Sequence, residues 1–118
     1  MKVMTNELIG NALNWAAAKA GNENVFVGYR EGVGEGVFLP FGECEPYSPS
    51  TDWSQGGPII EREKLDVRAP TIHCEYWTVW AMGYSKVHQQ GPTPLIAAMR
   101  CYVASKLGDT VEVPEEFL

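Results

Sequence analysis

The sequence predicts an α+β domain: a small, mostly antiparallel sheet with helices on both of its faces. Three observations predict this class. Apolar residues recur with helical period near both ends of the chain. Residues 24–39 carry the marks of a β-hairpin, and residues 72–81 alternate with the period of a strand. The resulting order is helix, hairpin, loop with a short helix, strand, helix.

The first helix is predicted over residues 5–20. Thr5 is a residue type that caps helix starts, and Glu7 puts a carboxylate in the first turn, where the helix dipole favours it. Leu8, Ala12 and Ala16 repeat at four-residue spacing, flanked by Ile9, Leu13 and Ala20, so one stripe is apolar. The alanines point to a helix packed closely on a sheet. Gly21 follows the last turn, where helices commonly end in the left-handed conformation.

Residues 24–30 are β-branched and aromatic with no breaker before Gly28, and Val37-Phe38-Leu39 forms a second short strand after glycines 32, 34 and 36. That Gly-x-Gly-x-Gly run reads as a turn or flexible lip. It lacks the spacing, the lysine and the following helix of a phosphate-binding loop. Residues 40–58 shift to Pro, Gly, Ser and acids, a loop long enough to suggest function. Tyr47 and Trp53 sit in it, and Ser50, Thr51 and Asp52 are capping types that could start a helical turn near Trp53. A short helix over 58–65 would place Pro58 at its first position. Gly56-Gly57 argue against one unbroken helix from 53 to 64.

In residues 72–81, Cys74, Tyr76, Thr78 and Trp80 alternate with His73, Glu75, Trp77 and Val79. Both faces are apolar, so a central strand covered on two sides is expected. The last helix has the clearest limits: Thr93 as N-cap, Pro94 at the first position, an apolar stripe from Leu95 to Leu107, and Gly108 as the stop. The tail over 111–116 is acidic and reads as extended.

The chain has 118 residues, 9 basic against 15 acidic, for a net charge of -6. It is sized for one domain over 1–118, and its field opposes binding to long nucleic acid. No apolar run approaches the roughly 18 residues that a membrane span needs. The Met1-Lys2-Val3-Met4-Thr5 start has no apolar core, so no secretory signal and no membrane association are expected. Cys44, Cys74 and Cys101 are odd in number and share no C-x-x-C spacing, which fits reduced thiols in a cytosol.

Two long motifs, Tyr47-Ser-Pro-Ser-Thr-Asp-Trp-Ser-Gln-Gly-Gly-Pro-Ile-Ile-Glu61 and Gly91-Pro-Thr-Pro-Leu-Ile-Ala-Ala-Met-Arg-Cys-Tyr-Val-Ala-Ser-Lys-Leu-Gly108, resemble the NinX-like proteins of lambdoid phages. The helix over 5–20 and the Val111-Glu112-Val113-Pro114 ending fit as well, so the resemblance spans nearly the whole chain. It implies a small accessory phage protein made in the cytoplasm of a bacterial host. It also implies kinship with phage domains described as α-β-α sandwiches. It brings no established reaction and no catalytic residues.

The residues offer three kinds of chemistry. His73, Cys74, His88 and Cys101 could hold a metal, but His73 and Cys74 are adjacent on a strand and point to opposite faces. No metal or cofactor is expected. No nucleophile-elbow motif pairs a base with a nucleophile, and Asp52, Glu61 and Glu75 are catalytic candidates only by type. Ligand binding fares better. Tyr47, Trp53, Trp77, Trp80 and Tyr102 could stack on a flat ring, and Arg62 and Arg100 offer forked donors for phosphate. The helix start at Thr93-Pro94 offers free amides.

The expected ligand site is therefore Tyr47, Ser50, Thr51, Asp52, Trp53, Arg62, Thr93 and Arg100. The expected function is non-enzymatic: binding a small anionic, nucleotide-like ligand and sequestering a host immune signal. The alternative is an interaction module that docks on a host or phage partner through the 40–58 loop. A hydrolase using Asp52 or Glu61 is the third reading, and a homodimer stays open.

Overall fold

The computed structural model describes residues 1–81 and 87–118. In chain order the elements are β1 (Lys2–Met4), a 3-10 turn (Thr5–Glu7), α1 (Gly10–Ala20), β2 (Phe26–Arg30) and β3 (Gly34–Phe38). There follow α2 (Trp53–Glu63), β4 (Asp66–Arg68), β5 (Trp77–Trp80), β6 (His88–Gly91), α3 (Pro94–Leu107), β7 (Thr110–Glu112) and a last 3-10 turn (Glu115–Phe117). The class is α+β, and every strand pair among the described residues is antiparallel. The strands divide into three small sheets, β1–β7, β2–β3 and β4–β5–β6.

Helix α3 is the centre of the core. Thr93 Oγ1 accepts from Ile96 N at 3.1 Å and Pro94 opens the helix, as its sequence predicts. Leu95 to Met99 and Cys101 to Val103 are all buried, so the helix is apolar nearly all round. One side lies on β5 and β6, and another meets α1, where Leu13, Ala16 and Ala17 face it. Gly91 at the end of β6 permits the tightest crossing: a Cβ there would lie 2.8 Å from the Ala97 backbone nitrogen.

The hairpin forms, with Phe26 opposite Phe38 and Arg30 opposite Gly34, but its second strand starts at Gly34 and not at the expected Val37. The glycine run divides its roles: Gly32 turns the chain at φ +86°, while Gly36 is a paired strand residue.

Long-range pairing overrides local signals in several places. The first helix begins at Gly10, not Thr5. Thr5 is fully buried and bonds across the chain ends, its N donating to Asp109 O and its Oγ1 to Gly108 O, both at 2.7 Å. Residues 2–4 therefore pair with β7, and the expected extended tail is held as a strand over 110–112 before a 3-10 turn closes it. Gly21 keeps φ -94°, and Asn22 takes the left-handed conformation instead.

Helix α2 runs unbroken through Gly56, Gly57 and Pro58. A Cβ on Gly56 would fall on the Pro49 carbonyl oxygen and 2.7 Å from Leu95 Cδ2. That glycine is a packing requirement here, not a break. Pro58 sits inside the helix on an exposed position, where its missing N–H breaks one turn of the hydrogen-bond ladder.

The strand expected over 72–81 is shorter, Trp77–Trp80, because β4 pairs only with residues 78–80. Residues 71–74 form a tight turn with Ile72 at its tip, 95% exposed. β5 is central, between β4 and β6, but among the described residues helices pack on one face only. The outer face carries Thr78 and Trp80.

Candidate functional site

The eight residues expected to form one site fall into three places. The first is a groove where two helix starts meet. Ser50, Thr51 and Trp53 face Thr93, Pro94, Leu95 and Ile96 across a space of about 230 Å³. The contact of Gly56 with Leu95 holds α2 beside α3. Asp52 caps α2, its Oδ1 accepting from Ser54 N at 2.9 Å and Ser54 Oγ at 2.7 Å. Ser50 is buried and committed, its N (3.1 Å) and Oγ (2.7 Å) both donating to Asn14 Oδ1 on α1. The 40–58 loop is thus pinned at Ser50. Trp53 remains 57% exposed at the rim.

The second place is a cluster around the buried Tyr102, with Arg62 and Lys106 half-exposed at its edge. Arg62 Nη2 donates to the Tyr102 hydroxyl at 3.1 Å and its Nε to Glu63 at 3.1 Å, while Lys106 bonds the other Glu63 oxygen at 3.1 Å. Burial opposes ionisation of Glu63, but the bonds from Arg62 and Lys106 outweigh it and hold its carboxyl below the usual range. Tyr47 packs with Ala18 and Val37, and burial pushes its hydroxyl up to about 12. Neither Tyr47 nor Tyr102 presents an open ring. Arg62 is answered by a carboxylate and a phenol, so the expected role of Tyr47 and Arg62 in one site with Trp53 does not match their placement.

The third place is a cleft of about 390 Å³ at the junction of β6 and α3, lined by Asn6, Tyr76, His88, Gln89, Gln90, Gly91, Pro92 and Arg100. Arg100 is half-buried and held by backbone alone: Nε donates to Leu8 O at 2.8 Å and Nη1 to Gln90 O at 2.9 Å. Burial pulls its pKa down from the ordinary arginine value. Among the described residues no carboxylate pairs with it, and none lines the cleft. Three of its five N–H groups stay without a protein partner among those residues.

The tryptophans of the three-stranded sheet are occupied. Trp77 packs on the core, and Trp80 stacks on His88 at 4.3 Å with Arg68 at 5.9 Å over its ring. The open aromatic beside the cleft is Tyr76, 47% exposed, in the segment just before β5 and not in the strand its alternation predicts. Asn6, Gln89 and Gln90 were also missed. A signal for the two glutamines existed, since His88-Gln89-Gln90 is a polar run just before a capped helix, whereas nothing local marked Asn6.

The catalytic and metal candidates are dispersed. Asp52 and Glu61 stand nine positions apart along α2, about 13 Å, beyond the roughly 5–9.5 Å that glycosidase carboxylate pairs span. Glu75 lies in the exposed turn before β5. Cys101 is buried on α3, its Sγ 3.8 Å from Val87 O, and burial pushes its thiol up to about 11. Cys74 lies 3.6 Å from Gln90 Nε2. All three cysteines are free, and no three His, Cys, Asp or Glu groups converge among the described residues. No helix there is long and apolar enough to cross a membrane.

The family described as Bacteriophage P22, NinX matches residues 4–106, and the chain belongs to that family. No curated protein matches it.

Proposed function

We propose, for this member of a phage family, a non-enzymatic accessory role in the host cytoplasm: holding a small anionic, nucleotide-like ligand in the Arg100 cleft. One observation carries the reading. In a chain of net charge -6, the cleft holds a half-buried arginine with no carboxylate partner and no acidic residue in its wall, among the described residues. Such a cation is partly desolvated at a cost that an incoming anion offsets. Tyr76 at the rim supplies a flat face, and the amides of Asn6 and Gln90 supply donors and acceptors for a heterocycle edge. Binding without turnover would act by sequestration, and a host immune signalling nucleotide is the target that a phage protein would gain by removing.

Native mass spectrometry of protein purified gently from its bacterial host tests this. The expected result is a co-purifying, ultraviolet-absorbing small molecule released on denaturation and absent from the Arg100→Gln protein. Apo protein that also ignores a panel of linear and cyclic nucleotides in titration calorimetry would sink the reading.

A second reading rests on Trp53. Its exposed ring at the rim of the groove formed with Pro94 and Leu95 suits docking on a protein partner through the 40–58 loop. Capture of one specific partner from infected cells, abolished by Trp53→Ala, is the outcome expected of it. A partner captured equally well by the variant would remove it.

A further inference from the structure

We infer that the Arg100 cleft selects a ligand with a single negative charge and one nucleobase, that is, a cyclic nucleoside monophosphate. This rests on the reading of the cleft as an anion site and narrows it. Three features argue for the narrower class.

The first is charge. Among the described residues Arg100 is the only lysine or arginine lining the cleft, no group of metal-binding side chains lies there, and the chain as a whole carries -6. One fixed cation balances one phosphodiester. The further charges of a terminal monophosphate or a triphosphate would find no partner and would be repelled by the net field.

The second is donor geometry. Nε and Nη1 are committed to Leu8 O and Gln90 O at 2.8 and 2.9 Å, so the guanidinium cannot swing to follow a flexible polyphosphate. Its remaining N–H groups, two on Nη2 and one on Nη1, are held in place by those bonds and are enough for one phosphate group.

The third is size. About 390 Å³ is near the low end of the ~300–1,000 Å³ range of small-molecule sites. Tyr76 supplies an exposed ring on the same wall, enough to take one base by stacking.

Titration calorimetry of the full chain separates the outcomes, with cyclic AMP, cyclic GMP, AMP, ATP, adenosine and inorganic phosphate as probes. The expected order is cyclic monophosphate tightest, AMP weaker, and ATP weaker than cyclic AMP by about tenfold or more. Adenosine and inorganic phosphate each bind weaker still. The exposed Tyr76→Ala substitution should leave the thermal melt unchanged and weaken cyclic nucleotide binding by about tenfold, the usual scale of one lost stack.

ATP or AMP binding as tightly as the cyclic form would overturn the single-charge inference and leave the anion site standing. Inorganic phosphate binding as tightly as the nucleotides, or an unaffected Tyr76→Ala protein, would overturn base recognition. Silence across all probes would overturn the anion site itself, and this inference with it.

Discussion

Arg62 and Arg100 look alike in the sequence, each an arginine in a segment that reads as helix, yet the fold gives them opposite surroundings. Arg62 sits on the outside of α2 against Glu63 and the Tyr102 hydroxyl, its charge answered by a carboxylate that Lys106 also holds. Arg100 lines a cleft with no acid in its wall among the described residues and is held by two main-chain carbonyls. Charge alone does not make a binding arginine. An arginine whose partners are neutral keeps its attraction for an anion, while one paired with a carboxylate has spent it.

Five experiments break or sharpen that contrast. The largest effect is expected where the cleft is founded. Gly91→Ala pushes a Cβ to 2.8 Å from the Ala97 backbone, which neither a strand nor a helix start can yield cheaply. A loss of about 3 kcal/mol is expected, at the upper end of overpacking costs, read as a fall in the denaturant midpoint. A melt unchanged by this substitution would mean that β6 and α3 do not cross as tightly as described.

Next comes Arg100→Gln. The half-buried Leu8 carbonyl and the exposed Gln90 carbonyl both lose a charged donor, so the melt should fall by roughly 1–2 kcal/mol. Ligand binding should fall at least tenfold at the same time. The buried Tyr47 on the other side answers to pH instead. Tyr47 titrates at 10.0 unfolded and about 12 folded, so the folded state binds the proton more tightly. Its stabilising share is complete below pH 10 and is lost as pH rises through 12, on the order of 2 kcal/mol. Denaturation followed from pH 9 upward should show this loss in the wild type and much less of it in Tyr47→Phe.

Arg62→Gln is expected to cost under about 1 kcal/mol, the scale of exposed ion pairs, and to leave ligand binding intact. Ligand lost in Arg62→Gln but kept in Arg100→Gln would invert the comparison. The smallest effect belongs to Trp53→Ala: an exposed ring with few packed neighbours should change the melt by less than about 0.5 kcal/mol.

Much of the fold was legible for local reasons. The limits of α3 follow from Thr93, Pro94 and Gly108, whose effects act within one helical turn. The hairpin follows from strand composition around a glycine turn. Of the expected site, Ser50, Thr51, Trp53 and Thr93 do share one groove, because both helix starts were readable and one glycine brings them together. Tyr47, Arg62 and Arg100 went elsewhere. Residue type told what each could bond to, and not which neighbours would claim it.

What the sequence determined by itself is therefore the family, carried by its long motifs, and the α+β class, the hairpin and the caps, set by interactions between near neighbours in the chain. The tertiary structure decided the rest. Thr5 left a helix start to bond residues 103 and 104 positions away, and α2 kept its glycines because Pro49 and Leu95 lie against one of them. Arg62 met a phenol 40 residues on, and Arg100 met a carbonyl 92 residues back. Propensities and caps are properties of a few consecutive residues. A site depends on which distant groups share one small volume, and only folding brings them there.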